Sequence, residues 1–178
     1  ANPMATHKGK RAAICAKKKE LGCGVVESTN KLNKDISKPK TWSDGLEAAT
    51  IGDFAKAKRI WMPLAEDGNM YAQESIGIMY LRGHGVYKSA PKAFEWFKRA
   101  ATNGLNIGDR LGTMYANGEG VIQDYVYAHM WWNIDASIYG NRESADNRAK
   151  IQSVMTPSQI EKAQNLAREC VAKNYKGC

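Results

Sequence analysis

The sequence predicts an all-α fold, a solenoid of about four helix pairs running from residue 41 to 178. Two observations predict it. Residues 77–96 superimpose on residues 112–131 at a spacing of thirty-five, with eight identities in twenty positions: Gly77/Gly112, Met79/Met114, Tyr80/Tyr115, Gly83/Gly118, Gly85/Gly120, Val86/Val121, Ala93/Ala128 and Trp96/Trp131. Around these matches, apolar residues recur at helical rather than strand spacing.

Each element follows from its own residues. Residues 42–69 read as a helix, a short Ile-Gly-Asp turn and a second helix carrying Trp61, thirty-five positions before Trp96. Pro63 lies inside that second helix, where it removes one intrahelical bond and kinks the helix or tightens its last turn. In residues 70–106 the stripe Ala72, Ile76, Met79 and Tyr80 gives the first helix one buried face. Gly83 can adopt the left-handed conformation that ends the helix, and Gly85 keeps the turn tight. Ser89 caps the second helix, whose buried face is Ala93, Trp96, Phe97, Ala100 and Ala101. Residues 107–141 repeat the unit with Asp124 at the cap. Gly77 and Gly112 cost about 1 kcal/mol each inside a helix relative to Ala, so a neighbouring helix is expected to come too close for a Cβ. Residues 142–178 form a closing pair without the Gly-x-Gly turn, its last helix started by Thr156, Pro157 and Gln159 as a capping box. A differing terminal unit is expected where a solenoid stops.

Charge divides the chain differently. The net charge is +8. Residues 1–40 hold nine Lys and Arg11 against Glu20, Glu27 and Asp35, so this basic N-terminal segment carries +7 and the rest of the chain +1. Such a segment suits anionic lipid or an anionic envelope polymer. Its charges are not interleaved with aromatics, which argues against nucleic acid. No run of about 18 apolar residues exists to span a bilayer. The chain opens at Ala1 without an initiator Met, as a processed secretory protein would and as a trimmed chain would.

The Gly-His-Gly-Val of residues 83–86 resembles part of a phosphate loop, but it lacks the following Lys-Ser/Thr and no strand precedes it. His84 falls on Glu119 in the repeat, so the glycines are architectural. His7, His84 and His129 sit in no metal-ligand or nucleophile spacing, and His129 occupies the position of Phe94, a core neighbour. No catalytic residue, metal site or cofactor is predicted.

The stretch AQESIGIMYLRGHGVYKSAPKAFEWFKRAATNG, residues 72–104, resembles the Sel-one-like repeat (SLR) family, relatives of the tetratricopeptide repeat. That pattern is A-x-x-x-L-G-x-x-Y-x-x-G-x-G-V, then A-x-x-W, then A-A-x-x-G. Residues 107–140 follow it with Ile107 at the first Ala and Asp135 at the first of the paired alanines, and residues 43–69 resemble a truncated opening repeat. The resemblance implies a right-handed α/α superhelix that holds protein partners on the face lined by first helices. On that face the helix spacing places Glu74, Ile78 and Leu81, with Asp109, Thr113 and Ala116 as their equivalents beside Arg110. These residues are predicted to bind a protein segment, the charged ones setting selectivity.

Cys15 and Cys23 are eight apart, as are Cys170 and Cys178, and each second cysteine follows a glycine. Eight residues of continuous helix span about 12 Å, too far for a bridge, so the glycines would have to turn the chain back. Two local disulfides, Cys15–Cys23 and Cys170–Cys178, are expected; the spacing is also similar to cysteine-rich secreted SLR proteins. Reduced cysteines remain the alternative, and the spacing argues against zinc. Bridges imply an oxidising compartment, periplasmic or secreted. The expected function is a non-catalytic, monomeric protein-binding scaffold. One alternative is a cell-wall-related enzyme or β-lactam-binding protein, which rests on analogy to cysteine-rich family members. No Ser-x-x-Lys nucleophile with its partner motifs supports it. The other alternative is a binder of envelope polymer through residues 1–40.

Overall fold

In a computed structural model, residues 41–178 are described, and among them are eight helices and no strand. They are α1 (Trp42–Thr50), α2 (Phe54–Glu66), α3 (Met70–Arg82), α4 (Ala90–Thr102), α5 (Gly108–Asn117), α6 (Tyr125–Tyr139), α7 (Arg142–Gln152) and α8 (Pro157–Ala172). Side chains near the chain direction change decide where most of them begin. Asp53, Asn69, Ser89, Asp124, Asn141 and Thr156 each accept a bond from a backbone N–H in the first turn. Only α5 starts on a residue that cannot cap, Ile107. The capping box on Thr156 and Gln159 forms as expected. α2 runs on through Pro63 to Glu66.

Within a unit the two helices pack face to face, and a helix glycine is what lets them. A Cβ on Gly77 of α3 would enter the Phe97 ring of α4, and one on Gly112 of α5 would lie 2.6 Å from Trp132 Nε1 of α6. In the first unit Gly45 of α1 meets the Trp61 ring of α2 in the same way. The obstacle is therefore an aromatic ring rather than a helix backbone. Each glycine costs about 1 kcal/mol, while burying a large apolar side chain contributes about 1.5–3 kcal/mol, so the exchange stabilises.

This pairing corrects the register. The ring beneath the glycine is Trp61, Phe97 and Trp132 in turn, so Trp61 is the counterpart of Phe97 and not of Trp96. Ala57 and Ala93, both fully buried, and the caps Asp53 and Ser89 obey the same spacing of thirty-six. Trp96 is only half-buried, with the Arg99 guanidinium 4.6 Å from its ring centre, whereas Trp131 is 2% exposed. Matched tryptophans thus have unlike surroundings.

The Gly-x-Gly turns do two separate jobs. Gly83 and Gly118 take φ of 77° and 67° and end their helices. Gly85 and Gly120, also at positive φ, rest on the start of the preceding unit's second helix: Phe54 for Gly85, Ala90 and Pro91 for Gly120. Each turn is thereby seated on the one before it.

The closing pair is built differently from the others. α7 and α8 both pack against α6 rather than chiefly on each other. Cys170 and Cys178 are bridged, with Cα atoms 5.6 Å apart. The chain reversal that permits this occurs before the glycine: α8 ends at Ala172, Asn174 and Tyr175 take φ of 49° and 61°, and Tyr175 N–H bonds the Cys170 carbonyl at 2.9 Å. Gly177 adds a further left-handed residue but does not end the helix. The reversal stacks Tyr175 on Trp131, with 6.4 Å between ring centres, and brings its hydroxyl within 3.1 Å of Tyr139. Cys15 and Cys23 lie outside the described residues.

Candidate partner-binding face

Two adjoining hollows open along the first helices, and the repeat relates one to the other. The hollow between α1 and α3, about 410 Å³, is lined by Trp42, Leu46, Ala49, Ile78, Arg82 and His84 among others. The hollow between α3 and α5, about 320 Å³, is lined by Glu74, Leu81, Asp109, Arg110, Thr113 and Glu119 among others. Ile78, Met79 and His84 of the first hollow become Thr113, Met114 and Glu119 of the second, thirty-five residues on. On the opposite wall, Trp42 and Ala49 give way to Glu74 and Leu81. The same cavity is thus lined twice, once mainly with aromatic and aliphatic groups, once with carboxylates.

Of the six residues predicted from spacing, Glu74, Leu81, Asp109, Arg110 and Thr113 line the second hollow together. Ile78 lies in the first, and Glu74 borders both. Ile78, Leu81 and Thr113 are partly buried, so none is a fully solvated stripe residue.

The charges in the second hollow are held unequally. Arg110 reaches the Glu74 carboxylate at 3.5 Å and lies with its guanidinium 5.0 Å from the Phe97 ring centre. Asp109 accepts a bond from the Ser144 hydroxyl at 3.3 Å. The Glu119 side chain has no hydrogen bond or ion pair among the described residues. Three carboxylates against one guanidinium leave the hollow acidic.

Spacing missed Trp42, Leu46 and Glu119. Leu46 follows Trp42 by four on one helix face, a signal obscured because the opening unit has a three-residue turn where the next has seven. Glu119 was visible only as the partner of His84 in the repeat.

Away from this face, the perturbed groups belong to the core. His129 is fully buried, its Nε2 2.8 Å from Gln152 Nε2, and burial followed by the Arg148 charge lowers its pKa to about 4. Burial, with Tyr127, Asp124 and Glu95 nearby, pushes the Tyr115 hydroxyl up to about 12. Asp135, standing where the repeat pattern has alanine, is 1% exposed and is met by the Ser144 hydroxyl at 2.5 Å.

Stacked helix pairs with a recurring hollow on the first helices define the class, an α/α repeat scaffold. Residues 71–105 and 109–134 match the sequence model of the Sel1 repeat, and together with two solved structures they support a Sel1-like repeat assignment. Among solved structures it is similar to c5321, a protective antigen of uropathogenic Escherichia coli strains that displays an SLR fold. The identity is 26%, the TM-score 0.71, and the match covers 80% of this chain but 32% of that one. The chain therefore spans about a third of the length of that relative. It is also similar to a Sel1 repeat protein from Oxalobacter formigenes, at 29% identity and TM-score 0.50, covering 61% of this chain and 96% of the other. No curated protein matches the chain. No helix among the described residues is long and apolar enough to cross a membrane.

Proposed function

We propose that the chain is a non-catalytic scaffold of an oxidising compartment, periplasmic or secreted, and that the α1–α3–α5 face holds a segment of a partner protein. The observation that carries this reading is the pair of repeat-related hollows meeting at Glu74. The partner segment that fits places an apolar side chain against Trp42, Leu46 and Ile78, and a basic one between Glu74, Asp109 and Glu119. Neighbouring first helices lie on the order of 10 Å apart, so about three extended residues separate those two side chains. Support for the compartment comes from the Cys170–Cys178 bridge. Support for the non-catalytic reading comes from His129, which is sealed in the core and held neutral rather than presented to a hollow.

The test compares wild type with Ile78→Asp and Leu81→Asp in capture from an envelope or culture-fluid extract. A protein retained by wild type should be lost by both variants at a temperature where each is still folded, because Ile78 and Leu81 pack against the core and an Asp there lowers the melting temperature. Equal capture by all three would move the partner site off this face. Hydrolysis of a chromogenic β-lactam by purified protein would overturn the non-catalytic part.

A further inference from the structure

Two residues before the cap of every second helix stands a large apolar side chain. The caps are Asp53, Ser89, Asp124 and Thr156, and the residues are Ile51, Tyr87, Ile122 and Val154. Their exposures are 76%, 97%, 88% and 67%, and every other exposed large apolar residue among the described residues is at 50% or less. Folding does not call for them. The staple that fixes a helix entry uses the residue directly before the cap, which here is Gly52, Lys88, Gln123 or Met155. One exposed apolar residue is ordinary. The same position filled four times out of four is a pattern.

The four lie on one edge. Gly85 seats the second turn on α2, and Gly120 seats the third on α4. The fourth turn follows α7, whose last residue Gln152 meets His129 near the start of α6. Successive tips are on the order of 10 Å apart.

Lysines accompany the most exposed tip. Lys58 and Lys92 line a hollow of about 490 Å³ with Tyr80 and Tyr87, and Lys88 adjoins Tyr87 in sequence. Lys92 Nζ lies 5.4 Å from the Tyr80 ring centre. Neither ion pair found among the described residues uses any of the three lysines. A folded protein partner would be met by a contiguous apolar patch with a polar rim. Separate apolar tips, the most exposed of them with lysines beside it, instead match the layering of a bilayer, where anionic phosphates lie above the acyl chains.

We infer that this edge docks on an anionic lipid surface, with Ile51, Tyr87, Ile122 and Val154 entering the headgroup–acyl boundary and Lys58, Lys88 and Lys92 meeting lipid phosphates. The test is cosedimentation of the full chain with vesicles of equal parts phosphatidylglycerol and phosphatidylcholine, and with phosphatidylcholine alone. Wild type should bind the mixed vesicles far more strongly. Tyr87→Ser/Ile122→Ser should lose about tenfold in affinity or more, the effect of withdrawing roughly 1.4 kcal/mol, at an unchanged melting temperature. Lys88→Gln/Lys92→Gln should weaken binding to the mixed vesicles. Absence of wild-type binding overturns the inference. So does equal binding by the Ser variant, which would assign attraction to the +7 of residues 1–40 alone. Self-association that the Ser variant abolishes, without vesicle binding, would make the edge an interface between two copies.

Discussion

Trp96 and Trp131 occupy matched positions in the repeat, yet the structure gives them unequal weight. Trp131 is 2% exposed, packed in the core that runs from Ala93 to Cys170, and covered by the Tyr175 ring. Replacing it with alanine removes a full aromatic side chain and leaves a cavity in that core. The expected loss is about 3–5 kcal/mol. Trp96 is half-buried against the first core and carries Arg99 over its ring. Trp96→Ala forfeits part of the area and an exposed cation–π contact of about 0.5–1 kcal/mol, while solvent fills the gap. Its loss should be about 1–2 kcal/mol. Urea unfolding followed by far-ultraviolet circular dichroism, with the slope checked for constancy, reads both values. Losses within about 0.5 kcal/mol of each other, or a larger loss at Trp96, would refute the reasoning from register.

Two further perturbations test the core and its closure. Cys178→Ser opens a loop whose ends are eight residues apart, worth about 2.5 kcal/mol in chain entropy. It also lets Asn174 and Tyr175 leave the left-handed region at a gain of roughly 1 kcal/mol, so a net loss of about 1–2 kcal/mol is expected. Tryptophan emission should shift to the red as Tyr175 leaves Trp131; an unchanged spectrum would contradict that cover. For His129 the folded pKa, about 4, lies below the unfolded value of about 6.5. The unfolded chain therefore binds the proton first, and stability, fully present above pH 6.5, declines as pH falls toward 4, by about 3 kcal/mol for a shift of that size. His129→Phe should lack that part of the acid sensitivity, and parallel pH curves for the two proteins would contradict the assignment.

The helices were legible because their signals are local. Caps such as Ser89 and Thr156 and the left-handed Gly83 act within one turn of chain, and they ended or began helices where the residues indicated. The glycine requirement at Gly77 and Gly112 was legible too, but not the ring that imposes it. A fixed spacing of thirty-five paired Trp61 with Trp96, whereas in the packing Trp61 and Phe97 are the counterparts beneath Gly45 and Gly77. The second helices of the first two units start thirty-six residues apart, at Phe54 and Ala90, while the shorter turn of the first unit leaves Gly45 only thirty-two before Gly77. That shift also hid Trp42 and Leu46 from the binding face. The reversal at Asn174 and Tyr175 carried no local signal, because non-glycine residues take positive φ only where other contacts hold them, here the bridge and the stack on Trp131.

The central claim is that first helices, not second helices, hold the partner. A photo-crosslinking residue placed at Leu81 or Thr113, and as a contrast at Glu95 on the exposed side of α4, tests it in the intact chain. The account predicts one protein crosslinked from both first-helix positions and none from Glu95. Crosslinks from Glu95 with none from Leu81 or Thr113 would contradict it.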